Sequence, residues 1–368
     1  MRRTRRRLFV ALVGLVTLLV LGALVACGAA GFDPQSKVDN LRLFAVRADK
    51  PYVKPGETVT LEALVGDGRR DRTRAAKLYW IPILCLNPEE DLYYLCFAPP
   101  GDGSRDARST RLVPLGPLAA AADAGADAAP AGNGGGNPFA SIPTGVDLAP
   151  FLPQGPTFSF QMPADALRPR EGSPVPYGLG IVFNILCAGR VEIAPRDPSG
   201  GAQQLPILCT DENGQRLPAS EYVIGFSRVY AYAERVNMNP VIEGVTQEGA
   251  PVDPQKGITI ERCPEGTRER DCKENKIDVR VSDGSWEPNP SDVEREGPRN
   301  EQIWASYYTD VGILENDARL LFDSRSGRLA ESAVDIRAPK QPQDGTLWIV
   351  VHDNRGGAAW TVVPLHIR

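Results

Sequence analysis

Lys54-Pro-Gly-Glu-Thr-Val-Thr-Leu-Glu-Ala-Leu-Val65 is the stretch whose reading decides the fold of this 368-residue chain. Pro55-Gly56 supplies a turn, and the residues after it nearly alternate in polarity. Val59, Leu61, Ala63 and Val65 fall on one side, Thr58, Thr60, Glu62 and Leu64 on the other. A period of two puts successive side chains on opposite faces, so the segment reads as a strand with one buried face.

Outward from this strand the same signal returns. Asn40–Arg47 precedes it, and Lys77–Leu84, Thr157–Met162, Tyr177–Leu186 and Tyr222–Tyr232 come after it. After Glu234 the order of features repeats. The run from Asn239 answers the opening strand, Lys276–Ser282 answers the Thr58 strand, and Gln302–Tyr308 answers Lys77–Leu84. Ala333–Ala338 answers Thr157–Met162, and Thr346–His352 with Ala358–Ile367 closes the chain as a hairpin around Asp353–Gly357. Six or seven strands per unit is the count of a β-sandwich. Abundant Gly (36) and Pro (33) with only 3 Met suit short strands joined by turns.

The Pro-Gly-Glu-Thr-Val-Thr-Leu idiom resembles the second-strand opening of extracellular bacterial immunoglobulin-like and PKD-like modules. The Trp-Asp-Phe-Gly-Asp-Gly signature of PKD modules is absent, which leaves the broader immunoglobulin-like class. The expectation is therefore all-β, with two immunoglobulin-like sandwiches over residues 38–236 and 237–368. Residues 117–156, rich in Ala, Gly, Asp and Pro, interrupt the first. The centre of that insertion lacks the apolar surface to offset its ordering entropy and is expected to be disordered.

The chain opens with Arg2, Arg3, Arg5, Arg6 and Arg7, a charge-free apolar run from Leu8 to Ala26, then Cys27. A basic region, an apolar core and small residues at its end form a secretory signal. A Cys directly after such a core resembles the lipobox of bacterial lipoproteins. The resemblance implies cleavage after residue 26, acylation of Cys27 and a lipidated tether over residues 27–37. With Gly28 next, it further implies export to the outer membrane of a two-membraned cell. An uncleaved anchor helix is the competing reading, since at about 1.5 Å per residue the run nearly spans a ~30 Å hydrocarbon core. Both place Asp33 onward outside the cytoplasm.

Loss of the five leader arginines would move the formal charge from −5 to −10, with 36 basic and 46 acidic residues remaining. No basic domain interleaved with aromatics is present, which argues against nucleic acid. Six cysteines remain as local pairs: Cys85 and Cys96, Cys187 and Cys209, Cys263 and Cys272. An even number outside the cytoplasm reads as disulfides. Nearest-neighbour pairing is expected, with Cys85–Cys187 as the rival. Zinc is disfavoured because there is no Cys-x-x-Cys and no His near any pair.

Catalytic groups are sparse. The two histidines, His352 and His366, lie in or at the end of the final strands, and no Gly-x-Ser-x-Gly elbow occurs. Paired carboxylates could hydrolyse a glycoside without histidine. However, Glu89-Glu90-Asp91, Asp211-Glu212, Glu287, Asp292, Glu294 and Glu296 all read as loop acids. Asp310, Glu315, Asp317 and Asp353 are calcium candidates without an EF-hand spacing. Trp80, Trp304, Trp348 and Trp360 sit in strand patterns and are expected in the cores. Trp286, in a polar loop, and Tyr93-Tyr94, between the first cysteine pair, are the candidate partner contacts. These features predict a non-catalytic, lipid-anchored envelope protein without a cofactor that binds or scaffolds an envelope protein. A glycan- or peptidoglycan-binding module is the alternative, and a glycoside hydrolase a more distant one.

Overall fold

A computed structural model describes residues 34–97, 110–115, 144–194, 205–294 and 297–368, and these form two β-sandwiches without an α-helix. Cys27, the leader and residues 117–143 of the insertion lie outside the described residues.

The first sandwich contains β1 (Leu41–Ala48), β2 (Tyr52–Val53), β3 (Thr58–Asp67), β4 (Lys77–Leu86), β5 (Arg111–Pro114), β6 (Thr157–Gln161), β7 (Gly178–Cys187), β8 (Arg190–Ile193), β9 (Ile207–Thr210) and β10 (Tyr222–Ala231). The second contains β11 (Ile242–Gln247), β12 (Ala250–Pro251), β13 (Ile258–Ile260), β14 (Glu274–Val281), β15 (Pro288–Glu294), β16 (Gly297–Asn300), β17 (Ile303–Thr309) and β18 (Ile313–Glu315). It is completed by β19 (Ala318–Asp323), β20 (Gly327–Arg328), β21 (Val334–Arg337), β22 (Gln343–Asp353) and β23 (Ala358–Ile367).

The two units share one plan. One sheet runs β1-β3-β6 in the first and holds β11-β14-β21 at the matching places in the second. The facing sheet runs β2-β10-β7-β4-β5 and, correspondingly, β13-β23-β22-β17-β19. In each, a short strand pairs parallel with the last strand, β2 with β10 and β13 with β23, while the other neighbours are antiparallel. This division of strands between two sheets is that of an immunoglobulin-like sandwich.

Val59, Leu61 and Ala63 fill the first core with Trp80, Leu84, Phe158 and Met162. Trp80 is fully buried, stacks on Phe158 and donates its indole N–H to the Gly155 carbonyl at 2.9 Å. Thus the last residues of the insertion, 144–156, lie against the sheet. In the second sandwich the expected core place of Trp304 is corrected. Ile303, Ala305 and Tyr307 point inward and Trp304 points outward, stacked on His352 at 5.3 Å. Tyr307 takes the core position because its hydroxyl reaches the Val279 N–H, so its one polar atom is satisfied. Trp348 and Trp360 are also absent from the second core and lie on the outer face of its larger sheet.

That face is where the sandwiches meet. The β1–β3 register shifts between Leu43 and Ala45, leaving Phe44 as the extra residue of a β-bulge. Leu41 and Leu43 point into the first core, the bulge turns Phe44 and Ala45 outward together, and Val46 and Ala48 point in again. Phe44 packs against Tyr308 and Trp348, with ring centroids 4.8 and 5.0 Å away. Leu64, the one apolar residue on the polar side of β3, is buried beside it, and the Arg47 guanidinium lies 4.3 Å over Trp360. Gly66 completes the fit: a Cβ there would stand 2.6 Å from the Phe44 ring. Around this apolar seam the chain segments are hydrogen-bonded. The Val38 N–H donates to Thr309 O, the Thr309 N–H donates to Ser36 O, and Asn239 Nδ2 donates to Ala48 O.

Phe44→Ala should therefore cost roughly 2–3 kcal/mol, somewhat below a fully buried Phe, and should uncouple the two units. Calorimetry is expected to resolve two thermal transitions in the variant where the native chain shows one. One unshifted transition in the variant would refute the coupling.

Candidate functional site

The outer face of the first sandwich's five-stranded sheet is apolar, which a solvated sheet face does not allow. Leu179, Ile181, Phe183 and Ile185 of β7 and Ile81 and Ile83 of β4 all point there and are buried. Two insertions cover them, and each is stapled to a strand end. Cys85 at the end of β4 bonds Cys96 in the turn Tyr93–Phe97, and Cys187 at the end of β7 bonds Cys209 of the β8–β9 hairpin. Cα separations are 5.7 and 5.9 Å, within the range a disulfide spans. Cys263–Cys272 closes a loop of the second sandwich. Three disulfides fit a compartment outside the cytoplasm.

The roof is incomplete over β10. Its outward residues Tyr222, Ile224, Phe226, Arg228 and Tyr230 line a strip along which Ile224 is 39% exposed. Tyr93 is 40% exposed and stacks on Phe226 with ring centroids 4.1 Å apart, while Tyr94 meets Tyr93 edge-on. The Arg228 guanidinium lies 5.1 Å over Phe226, and Arg216 donates to the Tyr222 hydroxyl at 2.5 Å. At the far end Tyr52, Tyr177, Tyr230 and Tyr232 form a second aromatic group.

The turn that carries Tyr93 is held by an unusual backbone. Asn87, Glu90 and Asp91 have φ of 53°, 54° and 58°, in the left-handed region that Asn and Asp tolerate better than Glu. Buried Asn87 accepts from the Leu179 N–H and from Arg170, and donates to Ala166 O. Asp91 accepts the Tyr177 hydroxyl at 2.5 Å and pairs with Arg170 at 3.0 Å. Burial first, then Asp91, pushes the Tyr177 hydroxyl well above its ordinary value, and burial pushes Tyr232 up to about 12. The second aromatic group thus presents phenols whose ionisation burial disfavours.

Trp286 is placed differently. Its ring stacks on Phe322 at 4.4 Å under the Arg328 guanidinium at 4.7 Å, packed against the second core. The structure does not bring it together with Tyr93 and Tyr94. Burial holds His352 below its ordinary value, and His366 bonds Asp344 at 2.7 Å. Of the calcium candidates, Asp310 accepts the Thr346 N–H, Glu315 pairs with Arg337, and Asp353 accepts from the Arg355 and Gly357 N–H groups. Among the described residues no group of three or more His, Cys, Asp or Glu could hold a metal ion. Among the loop acids, Asp211 caps its own turn through Asn213 and Gln215. Asp292 and Glu294 fall on β15, and Glu296 lies outside the described residues.

One ionic cluster was not legible in the sequence. Glu301, fully buried, and Glu287 both meet Arg355 at 3.4 Å, and the Glu287 N–H donates to Glu301. Arg355 also bonds Val236 O and lies over Tyr52, while Asn237 donates to Asp353. The Asp353–Gly357 loop thus clamps the segment joining the sandwiches. Its residues are far apart in the chain, so no spacing announces them.

No family model and no curated protein matches the chain. Solved structures do match, at 9–11% identity. The fibronectin(III)-like modules of Clostridium thermocellum CbhA share 9% identity over 88% of this chain and 93% of theirs, with a TM-score of 0.20. The α-2-macroglobulin of E. coli shares 10% over 91% of this chain and 17% of its own, at 0.20. Domains 3–5 of Drosophila OTK share 11% over 91% and 98%, at 0.16. The order of strands in the paired sheets makes each unit an immunoglobulin-like sandwich.

Burial, with Asp353 nearby, raises Glu301 from 4.5 to about 7. Across that window the folded chain keeps a proton that the unfolded chain has released, so stability falls as pH rises through it. A shift of this size corresponds to roughly 3 kcal/mol at most, fully lost above the upper value. Glu301→Gln should flatten the change in Tm between about pH 5 and about pH 8. Equal pH dependence in both proteins would exclude Glu301 as its source.

Proposed function

We propose that this chain is a non-catalytic cell-envelope protein, anchored by lipid on Cys27, whose first sandwich binds an envelope protein through the Tyr93–Phe226 strip. The observation that carries this reading is the pairing of an exposed, stacked Tyr93 with Phe226 and Arg228 on a disulfide-held turn. Aromatic and Arg side chains are the commonest anchors of protein interfaces, and rigid placement lowers the ordering cost of binding. The signal-like leader and the Cys that ends it support the anchor, and Gly28 supports the outer membrane as its destination. Among the described residues no helix is long and apolar enough to cross a membrane.

A glycan partner would use the same strip, since both Trp286 contacts lie within the chain. Cross-linking in living cells, with the full-length protein as bait, separates the readings. Tyr93→Ala with Phe226→Ala should abolish capture of a discrete envelope protein, and Trp286→Ala should not. Capture unchanged in the double variant would overturn the assignment of the strip. Retention on purified cell wall, lost in the same double variant, would replace the protein partner by glycan. Metabolic labelling with palmitate, lost in Cys27→Ser, tests the anchor.

A further inference from the structure

The β3–β4 loop with the first residue of β4, Gly68–Lys77, reads Gly-Arg-Arg-Asp-Arg-Thr-Arg-Ala-Ala-Lys: five basic residues and one acid in a chain of net charge −5. Arg69 is buried, bonded to Asp67 at 2.8 Å, and braces the loop from beneath through the Arg74 carbonyl. Arg70, Arg72, Arg74 and Lys77 are exposed. Arg74 pairs with Glu221 at 2.8 Å, whereas Arg70, Arg72 and Lys77 form no ion pair with any described residue.

The loop's position makes this charge informative. Its first residue touches the segment that leads in from Cys27. The Gly68 N–H donates to Asn40 O, and a Cβ on Gly68 would stand 2.1 Å from Val38 O. That segment is itself fastened to the second sandwich at Thr309, so its direction is fixed relative to both units. From Cys27 to Pro34 there are seven peptide links, which reach at most about 25 Å.

We propose that the β3–β4 loop faces the bilayer, takes the phosphates of anionic lipid headgroups, and sets how the molecule lies on its membrane. A basic patch next to a lipid chain is a recurrent second membrane signal, and each cation near an anionic surface adds to binding within a Debye length. The bearing on orientation rests on the proposed acylation, whereas the affinity of the loop for anionic lipid does not.

The test uses unacylated residues 27–368, which contain both cores, all strand pairings and the three disulfides. Flotation with phosphatidylcholine vesicles is compared with vesicles carrying about 30 mol% phosphatidylglycerol. Binding to the anionic vesicles alone, weakened by salt, is expected. R70A/R72A/K77A should lower the partition on the order of 100-fold. The same charge change at R268A/R270A/K273A, in the Cys263–Cys272 loop region, should leave it unchanged. No binding to anionic vesicles, or equal losses in the two variants, would overturn the proposal. Flotation of the acylated chain on phosphatidylcholine reports the anchor separately, so either idea can fail alone.

Discussion

The arrangement of the molecule depends on one extra residue in the first strand. Without the bulge at Phe44, β1 would alternate evenly, and the first sandwich would offer the second only every other side chain. The bulge turns Phe44 and Ala45 to the same side, where Tyr308, Trp348 and Val350 wait on the outer face of the second sandwich. Gly66 leaves the room that the Phe44 ring fills. The polar contacts around the seam, at Thr309, Asn239 and Arg355, then need only complete the hydrogen bonding of segments already brought together.

A second constraint shapes the first sandwich. Strand β7 is buried along its whole length on both faces, so its outer side must be covered by something other than the opposing sheet. Insertions supply that cover, packed on the sheet through Phe97, Val191, Ile193 and Ile207 and stapled to it by disulfides at Cys85 and Cys187. The cover stops short of β10, which leaves Ile224, Phe226 and Arg228 as a rigidly supported surface beside Tyr93. The contact surface is thus a by-product of how the core is closed.

Charge is distributed in the same economical way. The buried carboxylate Glu301 sits where the chain passes between sandwiches and is pushed toward neutrality by its surroundings. Burial likewise pushes up the hydroxyls of Tyr177 and Tyr232, in the aromatic group beyond the end of the strip. Exposed cations, Arg70, Arg72 and Lys77, lie at the β3–β4 loop beside the segment that leads in from Cys27.

The principal strands, their succession along the chain and the repetition are legible because period-two patterns between Pro/Gly turns are local signals, whereas short strands such as β5, β8, β9, β18 and β20 are not. Val59, Leu61 and Ala63 go to the core as their alternation requires. The run of β7, apolar but for Asn184, is likewise the local signature of a strand buried on both faces. Trp304 lies outside the cores, and Trp348, buried as expected, packs with Trp360 at the seam between the sandwiches rather than inside the second one. Alternation says which residues share a face but not which face is inward, and an outer face that docks on a neighbour is as apolar as a core. Phe44, Gly66 and the Glu301–Arg355 cluster are invisible because their roles depend on partners far away in the chain. Sequence by itself determined the all-β class and where the principal strands fall along the chain, because these follow from short-range pattern. Only the tertiary structure decided how the sandwiches dock, where Trp286 packs and which aromatics stay exposed, because those depend on contacts between residues far apart in the chain.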